Sequence, residues 1–481
     1  MQSDLTAISI YMGLATKKQQ NIFILLFLIF YTLSIAIGIV LFEGTKNNGD
    51  SIMHYFFAKY AFQHTENFFN HWAKPFFVLL AAPFAQFGFA GIKVFNGLAS
   101  LFAIFFTYKI ATHLAYKNSI VLPLIMLFSP LYYLNTLTGL TEPLYACLLS
   151  ISIYLVIKRR YLPAYILISL LPFIRSEGLI TVGVFGIFAI FNKQWKYLPA
   201  LLAGHVLYSI AGYFYYHDIF WVFTKIPYAT MNSVYGSGRL LHFAEQLIYV
   251  VGVPVYVLFW LGVVGFIIHL VKSKTTKVES ILIFTGFFAF FIAHSLFWYL
   301  GIFNSLGLNR VFIAVMPLIA LIALKGLNVV LENLIFQKKP VKMALKLLVI
   351  FYILIFPFTG NPAAIDWKKD IKETERDLLR EKMANFLIEK DMLKERLFYR
   401  HPQISYQLDI DHFDNKRHMN LRPEAIHHLQ PGDIVIWDTW FASEWDGFSH
   451  QVLNDDPRLI KLKSFYVDGG KGAYIIYQRK N

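Results

Sequence analysis

The chain reads as mainly α: a polytopic bundle of about eleven membrane-spanning helices with a small C-terminal α/β region outside the membrane. Three observations predict this. Of 481 residues, 57% are hydrophobic and 17% aromatic, while only 15% are charged, a make-up foreign to soluble globular domains. Apolar runs of the length that helices need to cross ~30 Å of hydrocarbon, or nearly so, recur along residues 1–360. Residues 361–481 then abandon the pattern for charged, strand-like and turn-rich sequence.

The runs lie near residues 21–42, 89–112, 118–140, 143–157, 161–174, 178–192, 197–216, 246–271, 281–303, 309–328 and 343–360. The first, Asn21 to Phe42, holds no charge over 22 residues and follows Lys17 and Lys18. It is long for a signal sequence and lacks a small-x-small cleavage site, so it reads as an uncleaved signal anchor. With the N-terminus cytoplasmic, the inner loops collect 17 Lys and Arg, Lys274 among them. The outer ones up to residue 360 collect eight: Lys46, Lys59, Lys74, Lys93, Arg175, Lys225, Arg239 and Arg310. Cytoplasmic loops carry such an excess. An odd number of spans then sets the tail on the outer face.

Net charge is +14, but residues 1–360 hold 25 basic against 10 acidic residues and the tail 19 against 20. The basic excess belongs to the membrane part, which favours contacts with membrane lipids and phosphate over nucleic acid. Cys147 is the only cysteine. No intramolecular disulfide is possible, and the residue reads as a small buried hydrophobe.

Residues 43–88 form the first external loop, which contains "NGDSIMHYFFAKYAFQHTENFFNHWAKPF". Tyr55, Phe56, Phe57, Tyr60 and Phe62 suit short helices in the interface, with rings at headgroup depth. The stretch 76–88 is too short to span, carries Pro83 and Gly88, and is expected to pack against the interface. In the tail, apolar positions from Ile371 to Leu387 recur at helical spacing within Asp366 to Lys394. Strand-like runs follow at 396–400, 433–438 and 473–478, with turns at Pro431-Gly432 and Gly469-Gly470. No nucleotide-binding glycine loop is present.

Charge at membrane depth marks the candidate site. The runs 161–174 and 178–192 reach only about 21–23 Å, so "RSEG", Arg175 to Gly178, sits below the outer surface. Charged groups there usually face a polar cavity. A purely local Arg175–Glu177 ion pair is the plainer reading. Glu142 in "TGLTEP", Arg239 in "YGSGRL" and Arg310 in "GLNRVF" point at the same face, as does Lys74. Several cations converging from loops otherwise poor in positive charge make an anion site, and guanidinium binds phosphate bidentately. His205, His269 and His294 show no ligand spacing and read as packed polar residues. His54, His64 and His71 make no i, i+4 ligand pair, which argues against a metal site.

In order and sidedness these parts resemble the GT-C superfamily of membrane glycosyltransferases, in the branch of protein O-mannosyltransferases and the lipid A aminoarabinose transferase. "GDSIMHYFFAKYA" is similar to that family's first-loop Asp and its amphipathic helix with a Tyr, here Tyr55. "HWAKPF", with His71 and Trp72, is similar to its aromatic-x-Lys-Pro element. "LPFIRSEGL" resembles the hairpin whose cation meets the donor phosphate, and "NRVFIAVMPLIALIA" the span opened by a further Arg. Ser51 stands where many relatives have a second acid, and Ala73 where an acid often precedes the lysine. The resemblance implies a polyprenyl-phosphate-linked sugar donor, a lipid, glycan or protein acceptor, and chemistry on the non-cytoplasmic face of a bacterial plasma membrane.

In such a transfer, an acceptor hydroxyl attacks the anomeric carbon as lipid phosphate leaves. A carboxylate takes the proton and fixed cations stabilise the leaving charge. Asp50 is the expected base, with Glu66 or a loop histidine in reserve. Lys74, Arg175 and Arg310 are the expected phosphate clamp, Arg239 a further member, and Tyr55, His71, Trp72, Glu142 and Glu177 candidate neighbours. Cations can replace a metal here, so no cofactor and no metal is expected. A transporter or flippase of a lipid-linked sugar would use the same cations. Such proteins often show internal repeats and paired broken helices, which the sequence does not suggest.

Overall fold

The structure is a computed structural model and describes residues 17–44, 48–227, 231–233, 235–272, 275–333, 338–467, 469–470 and 472–480. Lys46 and Lys274 of the charge count lie outside these. α1, Lys17–Leu41, is apolar all round and leaves Leu25, Leu26, Ile29 and Leu33 exposed, as a helix at the lipid edge of a bundle would. The external loop folds as α2, Asn48–Lys59, and α3, Pro75–Ala85. The chain then enters α4, Gly88–His113.

The predicted span 118–140 is two helices, α5 Leu122–Leu127 and α6 Pro130–Thr136, within segments bent by 67°. Pro130 explains the bend: it has no N–H to donate and its ring disfavours helical backbone before it. α7, Glu142–Ile157, leads to α8, Tyr161–Ser169, and α9, Gly178–Phe191, the two arms of the hairpin. α10, Ala203–Tyr216, follows. The run 246–271 is likewise two helices, α11 His242–Val251 and α12 Val253–Val271, parted at Gly252 just before Pro254. α13, Gly286–Leu300, continues a π-helical turn, and α14, Met316–Asn333, continues a 3-10 turn at Asn309–Val315. The segment through α14 is the most buried of the long apolar helices, the axis around which the others pack. α15, Lys339–Ile355, ends the bundle.

Among the described residues, seven helices are long and apolar enough to cross a membrane, or eight with the bent pair as one span. The chain is thus an integral multi-pass membrane protein. The count of eleven spans does not follow: the runs at 143–157, 161–174 and 178–192 form helices of 16, 9 and 14 residues, too short alone for ~30 Å.

The tail begins with α16, Glu375–Glu389, nine residues later than the periodic pattern suggested. Thr374 and Asp377 form a capping box that sets its start. β1 (Leu397–Tyr399), α17 (Pro402–Gln407), β2 (His418–Asn420), β3 (Ile434–Asp438), β4 (Leu459–Tyr466) and β5 (Ala473–Arg479) follow. They form one sheet in the order β2-β1-β3-β5-β4, parallel from β2 to β3 and antiparallel from there on. Leu379, Met383 and Leu387 cover one face, while Leu421, Ile426, Phe448 and Leu453 cover the other.

The loop aromatics depart from expectation. Tyr55, Phe56, Phe57 and Tyr60 are buried in protein rather than spread at headgroup depth; Phe62 alone is exposed. Their partners come from the tail: Tyr55 meets Tyr406, Phe56 stacks on His412, and Phe57 packs on Phe413. Tail and external loop therefore share one end of the bundle.

Candidate active site

The hairpin is closed by necessity of space. A β-carbon on Gly178 would come within 2.4 Å of the backbone of Leu171 and Pro172, so only glycine lets the arms meet so tightly. Arg175 is thereby held at the turn. Its Nε donates to Glu177 Oε1 at 2.6 Å, so the local pair is present. The same guanidinium also reaches across to α7, where Nη1 lies 2.7 Å from Glu142 Oε1 and donates to Thr141 Oγ1 at 3.3 Å. Glu142 is fully buried at the start of α7, and Arg310 Nε approaches its Oε1 to 3.8 Å from the turn that opens α14. Neither oxygen has hydrogen-bonding geometry, so the carboxylate holds the two guanidiniums by charge.

Arg310 Nη2 also donates to Asp50 Oδ2. Asp50 sits in the first turn of α2, a helix pinned to the bundle by the next residue. Ser51 is completely buried and its hydroxyl accepts from Gly139 N at 2.8 Å. A β-carbon on Gly139 would meet Ser51 O at 2.4 Å. Ser51 is thus a buried anchor of α2 against the bundle. Asp50 itself keeps 44% of its side chain exposed. Burial alone would raise its pKa, but the Arg310 guanidinium beside it, with Arg175 behind, holds the carboxyl below its usual value.

Lys74 closes the group. Its Nζ donates to Ser176 Oγ at 3.3 Å, in the hairpin turn. Burial pushes its ammonium down to about 8, against the pull of Glu177 and Asp50. Its backbone is strained, with φ 67° and ψ 85° directly before Pro75, where a residue normally stays extended. Asn70 holds it there, its Oδ1 accepting from Trp72 N at 2.9 Å and Ala73 N at 3.1 Å. Such a conformation costs about 1–3 kcal/mol and gathers at functional sites. Lys74→Gly is therefore expected to unfold at a temperature no lower than the parent while losing affinity for a lipid phosphate; thermal unfolding and lipid binding in detergent measure both.

Asp50, Lys74, Glu142, Arg175, Glu177 and Arg310 thus form one cluster of three cations and three carboxylates. His54, one turn along α2 from Asp50 and one of the loop histidines held in reserve as a base, belongs beside it. It is buried, stacks on Trp72 at 5.1 Å, and is pushed down to about 3 by burial and nearby cations despite Asp50. It stays neutral. His294 on α13 packs on Phe290 and also feels the charge of Glu177 and Arg175. The i, i+4 spacing from Asp50 on α2 ties His54 to the cluster, whereas nothing in sequence spacing ties His294 to it.

Other candidates lie elsewhere. Arg239 is 77% exposed and pairs with Glu245 at 2.5 Å. Glu66 faces His64, which bonds Asp411 of the tail at 2.9 Å. Tyr55 lies between Phe89 and Tyr406. His71 packs on Trp221 and lines a narrow groove with Pro172, Phe173, Ser176, His205 and Phe223. Through Ser176 the groove reaches Lys74. Among the described residues, no three His, Cys, Asp or Glu side chains gather as metal ligands.

This apolar bundle, with its helical first loop, charged short hairpin and tail domain on the loop's side, shares its fold with a solved structure. Among solved structures it is similar to ArnT from Cupriavidus metallidurans, crystallised bound to undecaprenyl phosphate. The likeness has a TM-score of 0.62 and covers 94% of this chain and 97% of that one, at 11% sequence identity. No protein-family model and no curated protein matches the sequence.

Proposed function

We propose that the chain is a membrane glycosyltransferase that moves a sugar from a polyprenyl-phosphate-linked donor to an acceptor hydroxyl on the non-cytoplasmic face. The observation that carries this reading is the convergence of Asp50, Lys74, Arg175 and Arg310, from four separate segments, in a fold shared with a protein crystallised on a polyprenyl phosphate. Lys74, Arg175 and Arg310 receive the donor phosphate. Arg310 Nε, buried without a hydrogen-bond partner, is a donor ready for a phosphate oxygen. Asp50 takes the proton of the acceptor hydroxyl as it attacks the anomeric carbon and the lipid phosphate departs. In the resting site Arg310 depresses the basicity of Asp50. A phosphate that engages Arg310 loosens that hold, so donor binding readies the base. Glu66 and Arg239 have no part in this scheme.

The deciding experiment is transfer of radiolabelled sugar from a polyprenyl phosphate by the purified protein. Helix breaks at Pro130 and Gly252 remove one argument against a transporter, so movement of the donor across a bilayer without transfer would support that rival. A pH test bears on the clamp. Lys74 binds phosphate while charged and loses its charge as pH rises through about 8. Affinity for polyprenyl phosphate, measured by equilibrium binding, is expected to fall roughly fivefold from about pH 8 to about pH 9. Lys74→Arg, which stays protonated, is expected to bind with little change over that range.

A further inference from the structure

We propose that Phe413 is a positioning residue that locks the loop bearing Asp50 and Lys74 into register with the bundle; the catalytic part of this inference rests on the transferase reading above. Phe413 belongs to the tail yet packs into the small core of the loop, formed by Phe57, Ala61, Ala73, Val78 and Ala82. Its ring lies 4.9 Å from that of Phe57, 5.6 Å from His64 and 6.3 Å from Tyr60. Asp411 sets its angle: one carboxylate oxygen accepts from Phe413 N at 2.9 Å and the other bonds His64 Nε2 at 2.9 Å.

This core touches both ends of the proposed chemistry. Ala73 immediately precedes Lys74. Trp72 packs against Phe57 and stacks on His54, one helical turn from Asp50. A second support lies nearer still, since Phe441 of the tail stands 3.1 Å from where a β-carbon on Gly49 would be. Of the polar links between tail and loop, the Lys59–Asp409 pair at 3.1 Å leaves Asp409 88% exposed, and exposed pairs hold little, while the less exposed His64–Asp411 pair serves to orient the ring itself. The aromatic wedge is therefore what sets the loop's height. A misplacement of about 1 Å at a reacting group can cost around a hundredfold in rate, while loss of one half-buried ring from a peripheral core leaves the bundle standing.

The test uses the full-length protein in detergent, comparing wild type, Phe413→Ala and Phe413→Leu. Hydrogen exchange is read first, because it does not depend on activity. Phe413→Ala is expected to speed exchange at residues 48–60 and 70–75 and to leave α14 unchanged; Phe413→Leu is expected to restore most of the protection. Transfer is then measured against pH. The alanine variant is expected to lose about ten- to a hundredfold in kcat. Its acid limb should move to higher pH, because Asp50 drawn away from Arg310 and Arg175 returns toward an ordinary carboxylate. His54, Lys74 and Glu142 also face that region, and none of them is touched by the substitution. Unchanged exchange in the loop would overturn the proposal, as would a rate loss with an unmoved pH limb. Faster loop exchange in a protein whose wild type transfers no sugar would uphold the positioning role and reject the transferase reading.

Discussion

Glu142→Ala is expected to lower stability by about 3–5 kcal/mol, the usual cost of removing one partner from a buried ion pair, and to abolish binding of polyprenyl phosphate. Glu142 is wholly enclosed, 2.7 Å from Arg175 and 3.8 Å from Arg310. Without it, two guanidiniums from the hairpin and the α14 turn face each other with their common counter-ion gone. Each would swing toward its remaining partner, Arg175 to Glu177 and Arg310 to Asp50, and the phosphate seat between them would open. Glu142→Gln keeps the volume and removes the charge, so it should lose stability by the same route but to a smaller degree. Thermal unfolding in detergent reads the first effect and lipid binding the second. An alanine variant that unfolds like the parent would show that this carboxylate does not hold the arginines together.

The centrality of Glu142 shows where sequence reading stopped. Membrane helices announce themselves by apolar length, and a helix stands at every run named in advance, because in lipid each backbone group must be satisfied within its own segment. The same logic exposed Arg175: two runs too short to span put a charge at depth. Arg310 and Lys74 followed from sidedness, since basic residues are scarce on the loops expected to lie outside. Glu142 gave a weaker signal, one acid at a helix start, which charge at a helix N-terminus explains well enough. Its two partners are remote in sequence, and only folding brings them within 4 Å. Arg239 shared the sidedness of the others, but Glu245 six residues on claims it, a local choice that counting loop charges cannot see.

The loop was misread for a related reason. Aromatic rings that follow a membrane span suit headgroups, yet the tail supplies a protein surface in their place, and a small sheet domain hundreds of residues away leaves no mark on the loop's own pattern. β4, "LIKLKSFY", went unrecognised because Lys461 and Lys463 interrupt its apolar content, as befits the edge of a sheet. Ser51 is the most instructive position. Against the resemblance it looked like a missing acid, whereas in the fold it is a buried hydrogen-bond anchor against Gly139. The site therefore rests on Asp50 as its one accessible loop carboxylate.

That weight makes Asp50→Asn the sharpest substitution available. Asparagine keeps the shape of aspartate at this first-turn position of α2, so the helix and its Ser51 anchor should stand. It cannot take a proton, and loss of a positioned general base costs about 10²–10⁴-fold. Sugar transfer by the purified variant is expected to fall by that factor. Binding of polyprenyl phosphate should move in the opposite direction. The carboxylate that occupies Arg310 in the resting site becomes neutral, the guanidinium is released to the phosphate, and affinity is expected to rise severalfold. A residue serving only to favour the start of α2 by its negative charge would lose little activity on this change and leave lipid affinity alone. A residue serving only to bind phosphate indirectly, by orienting Arg310, would weaken binding when altered. Only a base held in check by the donor's own binding group loses turnover while the lipid binds more tightly. Near-parental transfer by Asp50→Asn would remove Asp50 from the chemistry. It would leave no other loop carboxylate in reach, since Glu66 is turned toward His64 and the tail.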